Sequence, residues 1–199
     1  MVPATLRVSR GARTILFRVR APAPPYANEG PHALWHVSEN PSIARFEPHV
    51  AATAVRDEPL VWAVDTRHQP LYWFPRDCPR ACFWAQESTA LEDAALLHGS
   101  AQVHAVEAAW LDRLRRARVF AYRLPEEPFE PDGEGFWVSR EPVEPVELVE
   151  LGDLLARHVE ALIELRFVPD IWPLWSRVAA STLEFSGIRL RNAQPHAAK

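Results

Sequence analysis

Residues 34–48 read LWHVSENPSIARFEP, and the reading of the fold turns on them. Leu34-Trp-His-Val-Ser38 is a short apolar run interrupted by one histidine, which suits a half-buried strand. On such a strand His36 and Ser38 share one face, while Trp35 and Val37 share the other. Asn40-Pro41 follows, a helix-capping residue with proline at the first helical position. That pair predicts one or two turns of helix over Ser42–Phe46, ending before Pro48.

Working outward, Leu60–Val64 reads as a buried strand and 70–79, PLYWFPRDCP, as a dense loop or short helix. Arg80–Ala85 and Gln102–Val106 read as strands, with a short helix over Ala90–His98 between them and Gly99 as its stop. Glu107–Arg116 reads as a helix with Trp110, Leu111 and Leu114 on one face. Arg118–Leu124 and Phe136–Ser139 are strand-like, separated by an acidic Pro/Gly loop over Glu126–Gly135, and Pro145–Leu148 is extended. Leu154, Leu155, Val159, Leu162 and Ile163 repeat at helical spacing and predict a helix over Gly152–Leu165. Arg166–Val168 is extended, and Ile171–Arg189 reads as a long helix or a broken pair. Short strands come first and long helices last, which argues for an α+β fold: a mixed, mostly antiparallel sheet with C-terminal helices.

Residues 1–32 read as an N-terminal extension, with a hairpin of Thr5–Val8 and Thr14–Arg20 around Gly11 and a polyproline linker at Ala21–Pro25. A single domain would then occupy 33–193, with 194–199 as a loose tail.

With 48% hydrophobic and 24% charged residues, the 199-residue chain has the composition of a globular domain rather than a disordered one. A net charge of −4 argues against extended duplex nucleic acid as a partner, though a small nucleotide or an RNA end needs only a local arginine cluster. Apolar runs fall short of the roughly 18–20 residues of a membrane span, and the N-terminal apolar stretch is too short for a signal segment, so a cytoplasmic location is expected. Cys78 and Cys82 are too few for a structural zinc, and on one strand they would lie too far apart for a disulfide; two buried thiols are expected. Phosphate-loop, dinucleotide-fold and zinc-protease motifs are missing from the sequence.

Four strings, LWHVSENPSIARFEP (34–48), VWAVDTRHQPLYWFPRDCPRACFW (61–84), GFWVSREPVEPVEL (135–148) and ASTLEFSGIRLRNA (180–193), resemble a bacterial family of unknown function over about 33–193. The order of motifs over about 34–150 is also similar to the ADP-ribosyltransferase fold, including the RNA 2′-phosphotransferases. Those proteins open on a strand with a histidine followed by Ser or Thr, as in His36 and Ser38. Strand and aromatic motifs follow, similar to VWAVD with Tyr72 and Trp73, and the closing strand resembles Gly135–Val138. Toxin-type transferases carry a glutamate at the start of that last strand. Here Phe136 or Trp137 stands in its place, Glu134 precedes it and Glu141 follows.

The resemblance implies an NAD-type ligand or an RNA 2′-phosphate. His36 and Ser38 would hold ribose or phosphate, with the imidazole donating to a hydroxyl, and Tyr72 would stack on a base. Arg76 and Arg140 would fork onto phosphate. Glu141 would act as general base beside the catalytic His36. Each residue has a plainer reading: His36 bonded to backbone, Tyr72 in the core, Arg76 paired with Asp77, and Ser139–Glu141 a solvated turn. Arg177, Ser181 and Glu184 would share a helical face as an ion-pair ladder. His104, His158 and His196 stand apart from one another, without a role. The alternative to an enzyme is a non-catalytic binding or protein-interaction module with a degenerate site.

Overall fold

The alternation of large apolar residues in Leu34–Ser38, Val61–Asp65 and Phe120–Leu124 builds the first of two sheets. In the computed structural model, secondary structure is described for residues 5–10, 13–18, 33–50 and 57–195, and side chains for 33–50 and 57–195. The strands are β1 (Thr5–Arg10), β2 (Arg13–Arg18), β3 (Leu34–Ser38), β4 (Val61–Asp65), β5 (Arg80–Trp84), β6 (Gln102–Glu107), β7 (Phe120–Leu124), β8 (Glu130–Pro131), β9 (Phe136–Ser139), β10 (Glu147–Glu150), β11 (Glu164–Val168) and β12 (Glu184–Ile188). The helices are α1 (Leu91–Ala94), α2 (Leu111–Arg116), α3 (Leu154–Glu160) and α4 (Trp172–Ala179). The fold is α+β, and the sheets are mostly antiparallel, as the order of elements predicts.

The chain divides into two compact units, one of Pro22–Arg76 with Ala117–Gly152, the other of Met1–Ala21, Asp77–Arg116 and Asp153–Lys199. The first holds a six-stranded antiparallel sheet in the order β10-β7-β3-β4-β9-β8. Leu34, Val61, Ala63, Phe120, Tyr122 and Leu124 bury one face of it, and Phe46, Phe129 and Val143 close over them. Each large apolar side chain removed from water contributes about 1.5–3 kcal/mol. Trp35 is fully buried, and its indole N–H donates to Thr66 Oγ1 at 3.1 Å.

The second unit holds a four-stranded mixed sheet, β11-β6-β5-β12, in which β11 runs parallel to β6. Its core gathers Phe83, Leu97, Val103, Ala105, Ile171 and Val178. β1 and β2 pair as the expected antiparallel hairpin. The polyproline linker at 21–25 lies outside the described residues.

Three helical expectations fail, for different reasons. Residues 42–46 are not helical. Asn40 Oδ1 accepts from the Ser42 amide at 3.0 Å and its hydroxyl at 2.8 Å, so the capping oxygen closes a local turn instead. The Ile43 amide donates to the Tyr122 hydroxyl, which itself donates to the Asn40 carbonyl, and Phe46 bridges to Val143 in extended form.

The helix expected over Gly152–Leu165 spans only Leu154–Glu160. Asp153 caps it, accepting from the Leu155 and Ala156 amides. It ends where Leu162 takes φ 58°. There the Ile163 amide reaches the His158 carbonyl at 2.9 Å and the Leu162 amide reaches the Val159 carbonyl at 3.0 Å, a paired C-terminal closure normally built around glycine. Val159 and Leu162, expected inside, are 72% and 64% exposed.

The C-terminal stretch is a helix followed by a strand. α4 stops at Ala179, where Ser181 Oγ donates to the Val178 carbonyl. Asp93 then accepts from the Thr182 amide and hydroxyl at 2.8 and 2.7 Å, turning the chain into β12. Arg177 and Glu184 therefore sit on different elements and form no common helical face.

Candidate functional site

All six residues singled out from the sequence lie in the six-stranded unit. His36 is held most closely. Its place on β3, on the core side with Leu34, sets the half-buried ring 4.7 Å from Phe46. Nδ1 lies 2.9 Å from the Trp62 carbonyl on β4. A carbonyl only accepts, so Nδ1 carries the proton and, in the neutral ring, Nε2 keeps its lone pair. Nε2 has no hydrogen-bond partner among the described residues. Burial holds the imidazole below the ordinary histidine value, the bond to Trp62 opposes this, and the charges of His49 and Arg76 add to the lowering. His36 is thus a neutral base with its orientation fixed. With Nδ1 committed to Trp62, the neutral ring offers Nε2 as an acceptor, so a ligand hydroxyl would donate to it rather than accept.

Ser38 Oγ accepts from the Asn40 amide at 3.1 Å. Glu39 Oε2 accepts from the Arg76 amide at 2.9 Å, which ties the segment after the Gln69–Tyr72 turn to the end of β3. The Arg76 guanidinium is exposed and has no carboxylate partner among the described residues, so the Arg76–Asp77 pairing is not formed. Tyr72, half-buried, ends that 3-10 turn. His36, Ser38 and Arg76 thereby gather at one end of β3, and the charge of Arg76 is felt at His36.

Arg140 and Glu141 follow β9. The Arg140 guanidinium is engaged by two carboxylates, Glu58 at 2.7 Å and Glu130 at 2.9 Å. These partners raise its pKa further. Arg140 is a clamp on its own loops rather than an open phosphate fork. The Glu141 amide donates to Ser139 Oγ at 3.0 Å, and the exposed carboxylate has no partner among the described residues. Two residues after Glu141, Val143 bridges to Phe46, whose ring lies 4.7 Å from that of His36.

Several polar groups escape sequence reading. His49, whose charge reaches His36, is placed by a bridge to Leu60. Asp65 Oδ1 accepts from both the His68 amide and Nδ1 at 2.8 Å. His68 packs against Gly135 so closely that a Cβ there would lie 1.9 Å from the ring. Gln69 Oε1 accepts from the Trp73 indole, leaving Nε2 buried with no partner among the described residues. The spacing Asp65-x-x-His68 was the one signal available for this group.

In the four-stranded unit, His104 and His158 bond to each other through Nδ1 and Nε2 at 3.1 Å, so they do not stand apart. His196 lies outside the described residues. Cys78 and Cys82 are free and buried, and burial pushes both thiols up to about 12. Among the described residues no group of three or more metal-ligating side chains forms, and no helix is long and apolar enough to cross a membrane.

The two sheets define an α+β protein, and His36 on β3 is the candidate centre of its site. Residues 35–193 match the model of a family of unknown function, DUF6886, and the chain belongs to that family. No curated protein and no solved structure matches the chain.

Proposed function

We propose that the six-stranded unit binds a phosphate-bearing nucleotide of the NAD or ADP-ribose type at the end of β3. The observation that carries this reading is the state of His36: neutral, pinned through Nδ1 to the Trp62 carbonyl, with Nε2 unpartnered near the unpaired Arg76. A ribose hydroxyl donating to Nε2 and a phosphate on Arg76 would satisfy both groups. Ser38 would add a hydroxyl contact and Tyr72 a stacking surface. The likeness of the β3 motif to the ADP-ribosyltransferase fold supports the same ligand class. Isothermal titration with NAD and with ADP-ribose tests it. Binding should be lost in His36→Ala and weakened by about tenfold in Arg76→Ala, the worth of one charge-assisted hydrogen bond. No heat from the wild type with either ligand, or equal binding by His36→Ala, would sink the idea.

A second reading, binding without catalysis, draws on β9. Where toxin-type transferases carry glutamate, the Phe136 ring lies tilted 6.0 Å from His68 and Trp137 packs on the core. Glu141 would then be the candidate carboxylate base. NAD turnover that is abolished by Glu141→Gln with binding intact would favour the enzyme; ligand binding with no turnover would favour the binding module.

A further inference from the structure

The four edges of the six-stranded and four-stranded sheets are not alike. β8 is two residues long and ends in Pro131, which cannot donate to a neighbour. β10 has glutamate at both ends, so antiparallel pairing with itself would set Glu147 against Glu150. β11 carries Glu164 and Arg166 in a mutual ion pair at 2.7 Å. β12, EFSGI, has no such guard. It is the outer strand beside β5, and its outward backbone groups have no partner among the described residues. Unprotected edges of this kind recruit another strand.

Its side chains specify which one. Gly187 lies under Trp175, at a distance where an added Cβ would meet the indole at 2.6 Å. Phe185, two residues away on the same face, meets Trp175 edge-on at 5.4 Å and stays 38% exposed. The segment is also dipolar, with Glu184 at its start and Arg189 and Arg191 after its end.

We infer that β12 pairs antiparallel with β12 of a second copy, joining two four-stranded sheets into one. With Ser186 opposite Ser186, Phe185 falls opposite the Gly187 of the second copy. Each phenylalanine then abuts the Trp175 that covers Gly187 of the other copy, a cross-strand aromatic contact at a position with no side chain of its own. The same register brings Glu184 beside Arg189 of the other copy, twice by symmetry, and opposes no like charges.

Sedimentation equilibrium on the full chain tests this. The wild type should dimerise at about 100 µM or below, in the range of a modest strand-to-strand interface. Phe185→Lys and Glu184→Lys should each weaken the dimer by at least about tenfold, because symmetry counts each substitution twice. Glu184→Lys combined with Arg189→Asp should recover it. Circular dichroism melts confirm that each variant folds, and should Phe185→Lys fail, the two charge variants carry the test. A monomeric wild type overturns the inference. So does a dimer indifferent to the single substitutions, or a double variant that stays monomeric.

Discussion

The His104–His158 pair of the four-stranded unit and His36 of the six-stranded unit are held in opposite ways. In the four-stranded unit Gln102 Nε2 donates to His104 Nε2 at 2.9 Å, His104 Nδ1 donates to His158 Nε2, and His158 Nδ1 donates to the Leu154 carbonyl at 2.6 Å. Every ring nitrogen in that chain is used, and the chain ties β6 to α3. In the six-stranded unit His36 uses one nitrogen and leaves the other open. A fully bonded pair adds rigidity to a core, whereas a ring with one fixed and one open nitrogen is ready for a ligand. Both the burial of the rings and the use of the second nitrogen separate the two cases: His104 and His158 are fully buried and His36 is half-buried.

The comparison can be broken in several places. The largest effect concerns the closed interior of the four-stranded unit. With both thiols pushed up to about 12, Cys78 and Cys82 should react with iodoacetamide at pH 8 about a thousandfold more slowly in the folded protein than in urea. Rapid native alkylation of either, read by mass spectrometry, would show that interior to be open. Next, His104→Ala should cost about 3–4 kcal/mol in urea melts, from a cavity plus unpaired groups on Gln102 and His158. His36→Ala should cost only about 1 kcal/mol, the worth of its single bond to Trp62, while removing ligand binding. Equal costs would erase the distinction.

The third test is the pH dependence of stability. Because the folded His36 pKa is lowered, the unfolded chain binds the extra proton first. Stability then falls as pH drops below the ordinary value of 6.5 and levels off below the folded value. His36→Ala should remove that part of the slope, and an unchanged slope in the variant would count against a neutral His36. The smallest effect is local to α3. Leu162 is exposed and holds φ 58°, so Leu162→Gly should stabilise by about 0.5–1 kcal/mol in thermal melts. Destabilisation would mean that Leu162 packs on something outside the described residues.

Much of both sheets was legible. β3 and β9 were read to the residue, and β4, β5 and β6 to within one, because apolar runs bounded by turn residues state their own limits. What failed depended on distant partners. Asn40-Pro41 is a sound local start signal, but the Ile43 amide is taken by a tyrosine 79 residues away. α3 overran because its stop is a leucine rather than a glycine, and β12 was hidden because apolar residues continue past α4 at helical spacing. At the site, His36 and Ser38 followed from strand alternation. The approach of Arg76 rests on Glu39, and the capture of Arg140 rests on Glu58, at sequence separations of 37 and 82. Spacing along the chain cannot report either.

Gly135 lies at the start of a mechanical line to the site. Its carbonyl accepts from the Asp65 amide at 2.9 Å, and the missing side chain lets His68 seat against it. From there β9 is stitched to β4, with Phe136 across from Val64 and Val138 across from Trp62. The Trp62 carbonyl is what decides which nitrogen of His36 bears the proton. A bare alpha carbon at 135 therefore works as a spacer gauge: it sets the depth at which β9 engages β4, and through that setting the chemical polarity of a ring it never touches.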